Sequence, residues 1–257
     1  MKEIRPIAKS EIEEALANSA GDLANQVLYD LCSGHPFHKT DQDIIAKVWL
    51  IGRSYAAAIE RRKNKSSDAP GDMFYETIIA PKIRNSEIDG WLSLLKSEPI
   101  PKNAIEIHYK LMALFCEISG HQNRSLASKY LHFHQPDLFF ILDSRSVAAI
   151  RRVTPRTHKE PSNLSTKETD KDYANFYSRC LWLQENLQTQ FGRKLSPREI
   201  DKILLHIEGT ITQNGEPKAN LSAVSSNAQA QAGNLPGKIW MSPDFDAPLD
   251  DFKDYMK

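Results

Sequence analysis

Lys129 and Asp143 lie near the two ends of an apolar and aromatic stretch, residues 125–145 with the sequence SLASKYLHFHQPDLFFILDSR. A lysine next to apolar side chains loses part of its preference for the charged ammonium form, and an aspartate at the start of a helix keeps its negative charge. An amine and a carboxylate of this kind suit nucleophilic or acid-base chemistry. Lys129 and Asp143 are therefore the first candidates for catalytic residues.

Two short helices are predicted to position the pair. Residues 125–134 form the first, because their apolar side chains recur at the spacing of one helical face. Pro136 ends that helix, and Asp143 opens the next one. The turn between the two helices therefore allows Lys129 and Asp143 to meet in space.

The rest of the main body is predicted to be all-α. Helical periodicity continues to residue 211, and few segments have the pattern of a convincing strand. The predicted helices are 10–32, 43–62, 73–84 with a break at Pro81, 86–96, 104–118, 125–134, 143–153, 173–190 and 196–211.

The composition changes after residue 211. Residues 212–236 are rich in Asn, Ala, Gln, Gly and Ser, which is typical of a flexible linker. Residues 237–257, GKIWMSPDFDAPLDDFKDYMK, combine aromatic and aliphatic side chains with aspartates. Such a tail suits a peptide that folds onto a partner's groove, or an arm that docks on its own main domain. The predicted organisation is a helical domain over 1–211, the linker, and this acidic-aromatic tail.

The overall composition excludes several classes of protein. Lys plus Arg and Asp plus Glu number 33 each, so the chain is not a generally basic nucleic-acid binder. No apolar run approaches the roughly 20 residues of a membrane span, and the first residues lack the apolar core of a signal peptide. These features predict a cytoplasmic protein without membrane contact. Cys32, Cys116 and Cys180 are dispersed, which predicts reduced thiols. We expect no structural metal and no cofactor.

The tail resembles the toxin-neutralising segment of bacterial antitoxins of the Phd and VapB kinds. Those proteins commonly end in a similar Trp-Met, DFDAPL and DDF run. In that family the segment wraps a PIN-domain ribonuclease toxin, so the resemblance implies such a toxin as partner. The usual antitoxin has a small DNA-binding domain in front of the segment, whereas this chain has a large helical body.

The body resembles the helix-hairpin-helix DNA glycosylases, especially the compact 8-oxoguanine glycosylase-like branch. The matching residues are a helix over 104–118, the hairpin SGHQNR over 119–124, a helix over 125–134, and DSRSVAAIRRV from Asp143. By position, Asp143 corresponds to the family's essential aspartate. Lys129 is a weaker match to its Schiff-base lysine, because it lies deeper in the second helix. Only Gly120 remains of the usual glycine-rich turn.

Base excision makes chemical demands that this pair can meet. Removing a base builds positive charge on the sugar ring, and a fixed carboxylate such as Asp143 stabilises that charge and orients a water. If Lys129 attacks the sugar carbon instead, a covalent imine forms and strand cleavage follows, which requires a neutral amine. The alternatives are a plain N-cap role for Asp143 and a solvated position for Lys129 on the outer helix face.

Binding to DNA requires positive charge near the pair. The segment 145–171 is locally basic, and the amides at the start of the helix over 125–134 suit a phosphate. A solvated loop would have a similar composition. The residues predicted to contact DNA are Gly120, Arg124, Ser125, Arg145, Arg151 and Arg152.

A flipped base must be held between aromatic and polar side chains. Trp49 and Tyr55 are also typical of a core, and Arg53 is also typical of a buried ion pair. The residues available for a base pocket are Trp49, Arg53, Tyr55, Phe133 and His134.

The sequence thus predicts a helical DNA glycosylase that flips out and excises a damaged or modified base. Oxidised guanine and a hypermodified phage base both fit, the second in a setting of phage defence. The alternative is a non-catalytic, antitoxin-like regulator whose tail neutralises a PIN-domain toxin.

Overall fold

A computed structural model describes residues 5–19, 21–62, 71–156, 158, 161, 163, 164 and 167–215. Helices are the only regular elements in this part of the chain, which confirms the all-α prediction for it. The predicted linker and tail lie outside the described residues beyond Gly215, so the domain boundaries stay predictions. The helices are α1 (Lys9–Ala17), α2 (Asp22–Gly34), α3 (Asp41–Ser54), α4 (Gly71–Phe74), α5 (Ala80–Arg84), α6 (Ile88–Ser97), α7 (Pro101–Ser119), α8 (Arg124–His134), α9 (Ser144–Val153), α10 (Lys171–Phe191) and α11 (Pro197–Gly215).

The predicted helix over 10–32 is two helices. Helix α1 ends at Ala17 and α2 begins at Asp22, and Gly21 between them has a φ of 81°. Glycine adopts this left-handed conformation without the steric cost that a Cβ atom brings. The chain therefore turns at Gly21, and each helix buries its own short apolar face.

Pro81 does not break the helix in the way the sequence predicted. It lies in the first turn of α5, directly after a π-helical turn over Tyr75–Ile79 that follows α4. Proline lacks an N–H and its ring clashes with the carbonyl four residues earlier. A π-helical turn widens the backbone at that point. The segment therefore stays helical around Pro81.

Helix α3 ends at Ser54, earlier than residue 62, and the chain then reverses tightly. Ala56 has a φ of 50°, and the N–H of Ala57 donates to the carbonyl of Gly52 at 2.7 Å. A Cβ atom on Gly52 would lie 3.2 Å from the Cα of Ala58. The missing side chain therefore allows the returning chain to pack against the helix. A 3-10 turn over Ile59–Arg62 follows.

Helix α8 is the centre of the core, since residues 126–133 are all buried. It packs against α2, α3 and α7, while α11 packs against α9 and α1. The turn from α8 to α9 therefore lies where these helices meet. In the part of the chain that the structure describes, no helix combines the length and the apolar character needed to cross a membrane. Cys32, Cys116 and Cys180 are free thiols.

Candidate functional site

Helix α8 places Lys129 inside the protein, where it is 1% exposed. Its Nζ donates to the Oγ of Ser125 at 2.6 Å and to the carbonyl oxygen of Leu142 at 3.2 Å. The same nitrogen lies 5.7 Å from the ring centroid of Tyr55. Lys129 is therefore not the solvated lysine on an outer helix face that the sequence left as an alternative.

Asp143 is the N-cap of α9 and is half-buried. Its Oδ1 accepts from the backbone N–H of Ser146 at 2.9 Å, and its own N–H donates to the Oγ of Ser146 at 2.9 Å. The N-cap role is therefore present. Lys129 binds the carbonyl of Leu142, the residue just before Asp143, so its amine contacts the backbone that leads into Asp143.

A second carboxylate, Asp201 of α11, joins this region and was missed from the sequence. It is 2% exposed and pairs with the Nη1 of Arg198 at 2.5 Å, while its Oδ1 has no hydrogen-bond partner in the described part of the chain. Burial raises the pKa of Asp201 to about 6, although the charge of Arg198 opposes this shift. The charges of Asp143 and Lys129 also affect the pKa of Asp201. Asp201 therefore lies within electrostatic reach of both predicted catalytic residues.

Aromatic side chains form one wall beside Lys129. The hydroxyl of Tyr55 donates to the Oδ1 of Asn25 at 2.6 Å, and its ring meets Phe133 edge-on at 5.5 Å between centroids. The ring of Tyr29 also packs against Phe133, with 4.9 Å between the ring centroids. Two residues of the predicted base pocket, Tyr55 and Phe133, thus lie in this wall.

His132 ties this wall to the turn before α9. Its Nδ1 lies 2.7 Å from the carbonyl oxygen of Phe139, so this nitrogen carries the proton, and its Nε2 accepts from the hydroxyl of Tyr29 at 2.6 Å. Burial lowers the pKa of His132 to about 4 and raises the pKa of Tyr29 to about 12. The pair is therefore neutral and holds the turn by hydrogen bonds alone.

The other predicted pocket residues lie elsewhere, which corrects the prediction of a single base pocket. Trp49 lines an apolar surface cavity with Leu50 and Tyr75. Arg53 stacks on Trp49 and pairs with Glu60 at 2.8 Å, which is the ion pair that the sequence left as an alternative. A different cavity contains His134 beside Cys32 and Lys96. The five predicted residues do not form one pocket.

Three predicted DNA contacts surround the hairpin between α7 and α8. Gly120 ends α7 with a φ of 76°. The hydroxyl of Ser125 accepts from Lys129. The guanidinium of Arg124 is bound to Asp170 and Asp172, with Nη2 2.9 Å from Asp170 Oδ1 and 3.1 Å from Asp172 Oδ2. Arg124 therefore has carboxylate partners within the protein, which corrects its assignment as a free phosphate ligand.

The three predicted DNA contacts on α9 differ from one another. Arg152 pairs with Glu208 of α11. Arg145 and Arg151 are exposed, and each lines a separate cavity, the first together with Arg198 of α11. Arg145 and Arg151 are thus the cations on α9 that remain most accessible to a ligand.

A separate buried network lies on the other face of α8. The Nδ1 of His38 donates to Asp89 at 2.6 Å, and its Nε2 accepts from the hydroxyl of Tyr130 at 2.6 Å. Burial lowers the pKa of His38 to about 4, and Tyr130 is fully buried, so this network supports the fold. Within the described ranges, no three His, Cys, Asp or Glu side chains are grouped to hold a metal ion.

Comparisons with known proteins concern the C-terminal part of the chain. A family model described as a protein of unknown function (DUF2281) matches residues 193–255. The match includes α11 with Asp201 and extends over the predicted linker and most of the tail. No glycosylase family model matches. No curated protein and no solved structure matches the chain.

Proposed function

We propose that the helical unit is a DNA glycosylase that removes a damaged or modified base by hydrolysis. The observation that carries this proposal is the hydrogen bond from the buried amine of Lys129 to the carbonyl of Leu142, the residue that precedes the half-buried Asp143. A fixed carboxylate is the group that hydrolytic base excision requires, and an amine is needed only for the imine-forming reaction. Oxidised guanine and a hypermodified phage base are the substrate classes we propose.

Asp143 is the residue that acts on the sugar. The capping box with Ser146 fixes the carboxylate before any ligand binds, so little reorganisation is needed when positive charge develops on the sugar ring. In the hydrolytic reaction the carboxylate stabilises that charge and orients the attacking water. Asp143 is half-buried and not sealed in the core.

The position of Lys129 favours hydrolysis over the imine-forming reaction. An attack by Lys129 would require Nζ to leave both Ser125 and Leu142 and to become accessible from a position that is 1% exposed. In its observed position Lys129 instead holds the backbone that leads into Asp143. We assign it a positioning role.

The test is a panel of duplex DNAs that carry no modification, oxidised guanine or hypermodified phage bases, incubated with the full-length protein. Alkali cleavage scores abasic sites. Asp143→Asn should abolish their formation, since asparagine keeps the N-cap but carries no charge. The matched control is Asp137→Asn, an exposed aspartate on the same turn, which should leave base release unchanged.

Borohydride trapping in parallel separates the two reactions. We expect no trapped adduct with the wild-type protein. An adduct that disappears in Lys129→Gln would instead establish the imine-forming reaction. Absence of base release from every DNA in the panel, under conditions where the protein binds DNA, would argue against a glycosylase.

The resemblance of residues 237–257 to the toxin-binding segment of Phd- and VapB-type antitoxins supports a second proposed role, neutralisation of a PIN-domain ribonuclease toxin by the tail. The residues that carry this proposal lie outside the described part of the chain. Deletion of residues 237–257 should abolish rescue of cells that express a neighbouring PIN-domain toxin. Asp143→Asn in the full chain is the control and should still rescue. Rescue by the truncated protein would refute this role.

A further inference from the structure

A cavity of about 190 Å³ between α9 and α10 is lined by three arginines, Arg124, Arg151 and Arg179, together with Asn175. This volume is far above the ~10–15 Å³ that one water molecule needs. Leu142 also lines the cavity. Because Asp143 follows Leu142 in the chain, the cavity begins one residue from the candidate catalytic carboxylate.

Among the described residues, the acidic side chain that lines this cavity binds one of the three arginines. Asp172 lines the cavity, and both Asp172 and Asp170 bind Arg124. Arg151 is exposed and has no carboxylate partner among the residues that the structure describes. Three arginines face two aspartates here, so these described residues carry a net charge of +1, and neither Arg151 nor Arg179 is bound to either aspartate.

Arg179 is the unusual member of the group, because it is only 9% exposed and its hydrogen-bond acceptors among the described residues are neutral. Its Nε donates to Asn175 Oδ1 at 2.9 Å, and its Nη1 donates to Thr154 Oγ1 at 2.7 Å and to the carbonyl of Pro155 at 3.0 Å. Its Nη2 makes no hydrogen bond within the described ranges. A nearly buried charge without a counter-charge is costly for the protein.

Arg151 lies close enough to Arg179 to add to this cost. Burial, together with the charge of Arg151, lowers the pKa of the Arg179 guanidinium. An anion between the two guanidinium groups would relieve both the repulsion and the missing counter-charge. Planar guanidinium groups bind the oxygens of a phosphate with paired hydrogen bonds.

We propose that this cavity binds a phosphate group through Arg179 Nη2, the guanidinium of Arg151 and the side-chain amide of Asn175. Asn175 has its Oδ1 occupied by Arg179, so its amide N–H groups are the ones available to an anion. The phosphate site itself is inferred from these contacts alone. The further step, that the phosphate belongs to the backbone of bound DNA, rests on the proposed function.

Inorganic phosphate titrated into the full-length protein, with chloride at equal ionic strength as reference, tests the site by calorimetry. Arg151→Gln and Arg179→Gln should each weaken phosphate binding by about tenfold or more. The control is Arg84→Gln, which removes a cation from α5 that does not line the cavity. It should bind phosphate like the wild type.

Arg151→Gln keeps the test decisive if Arg179→Gln fails to fold, since the exposed Arg151 has no partner within the described residues. Phosphate binding that Arg151→Gln leaves unchanged would overturn the proposal. So would wild-type protein that does not distinguish phosphate from chloride.

The source of the phosphate is tested with fluorescent duplex DNA across a range of salt concentrations. If the DNA backbone supplies it, Arg151→Gln should reduce the slope of log affinity against log salt by about one. If phosphate binding falls but DNA affinity and slope do not change, the cavity takes free phosphate and the DNA source is refuted. Neither readout requires base excision, so failure of the glycosylase proposal would be seen separately.

Discussion

Lys129 donates a hydrogen bond to the carbonyl oxygen of Leu142 at 3.2 Å, and this contact joins the interior of α8 to the residue before the N-cap of α9. It fixes the backbone on which Asp143 depends. The capping box of Asp143 and Ser146 then fixes the side chain. Two local interactions therefore determine where the carboxylate lies, and each can be changed separately.

The first prediction separates the charge of Asp143 from its N-cap role. Asp143→Asn should leave the free energy of unfolding nearly unchanged, because an asparagine side chain also accepts from the N–H of Ser146. Asp143→Ala should lower it by about 1 kcal/mol, since that acceptor is lost. Urea denaturation measures both. Ser144→Ala, at an exposed residue of the first turn, is the control. Equal losses in the Asn and Ala variants would show that the negative charge itself stabilises the fold.

Asp201 carries the second prediction, which concerns pH. Its folded pKa of about 6 lies above the ordinary value of 3.8, so the folded state binds the proton more tightly than the unfolded state. The stabilisation that protonated Asp201 contributes is therefore complete below pH 4. It falls as the pH rises to about 6 and is lost above pH 6. Asp201→Asn should be as stable as the wild type at pH 4 and more stable at pH 8 by up to about 3 kcal/mol.

Denaturation of both proteins at several pH values between 4 and 8 measures this difference. Asp137→Asn, at an exposed aspartate, should follow the wild type throughout. A difference between Asp201→Asn and wild type that does not grow with pH would mean that Asp201 is ionised in the folded protein at little cost.

Several segments near the site were predictable from the sequence because their signals are local. Helices α8 and α9 begin within one residue of their predicted starts, since apolar periodicity, Pro136 and Asp143 act on neighbouring residues. The split between α1 and α2 was not predictable in the same way. It depends on the left-handed conformation of Gly21, and a glycine within an apolar periodic stretch is also tolerated inside a helix.

Asp201 and Arg179 were missed for a different reason. A charged residue in an amphipathic helix is expected on the exposed face, and Asp201 stands between the buried Ile200 and Ile203. Helix α11, which contains Asp201, packs against α9, and Arg179 binds Thr154 in the turn after α9, so both environments involve contacts between distant parts of the chain. Periodicity alone does not contain that information.

His108 leads to a third prediction, on loss of stability in acid. This residue is fully buried and stacks on Tyr173 at 3.6 Å between ring centroids, and burial lowers its pKa to about 4. The unfolded state therefore binds the proton first, and the stability from neutral His108 is lost as the pH falls from about 6.5 towards 4. When the pH falls between those values, the free energy of unfolding of His108→Phe should decrease by up to about 3 kcal/mol less than that of the wild type.

Thermal denaturation from pH 7 to 4 provides the test. The variant keeps a stacked ring at position 108, but this ring has no titratable group. It also lacks the hydrogen bond to the carbonyl of Arg124. It should therefore be less stable than wild type at pH 7 yet less sensitive to acid. His121→Gln, at an exposed histidine, serves as control and should keep the wild-type acid sensitivity. Equal acid sensitivity in His108→Phe and wild type would contradict the burial argument.

The final prediction compares two helical glycines, Gly52 and Gly90. A Cβ atom at Gly90 in α6 would meet nothing within 4 Å, whereas one at Gly52 would lie 3.2 Å from the Cα of Ala58. Gly90→Ala should raise the free energy of unfolding by about 0.5–1 kcal/mol, because alanine restricts the unfolded chain. Gly52→Ala should lower it by about 1–3 kcal/mol, because backbone atoms must move to make room.

The Gly52 variant also tests how the end of α3 supports the site. Tyr55 follows α3 directly and lies under Lys129, so displacement of the reversal after Gly52 should disturb the hydrogen bond from Tyr55 to Asn25. Tyrosine fluorescence and urea denaturation of the two alanine variants measure this effect, with Gly90→Ala as the matched control. If Gly52→Ala stabilises the protein as much as Gly90→Ala does, the chain at Ala57 and Ala58 can shift at no cost, and the close packing does not position Tyr55.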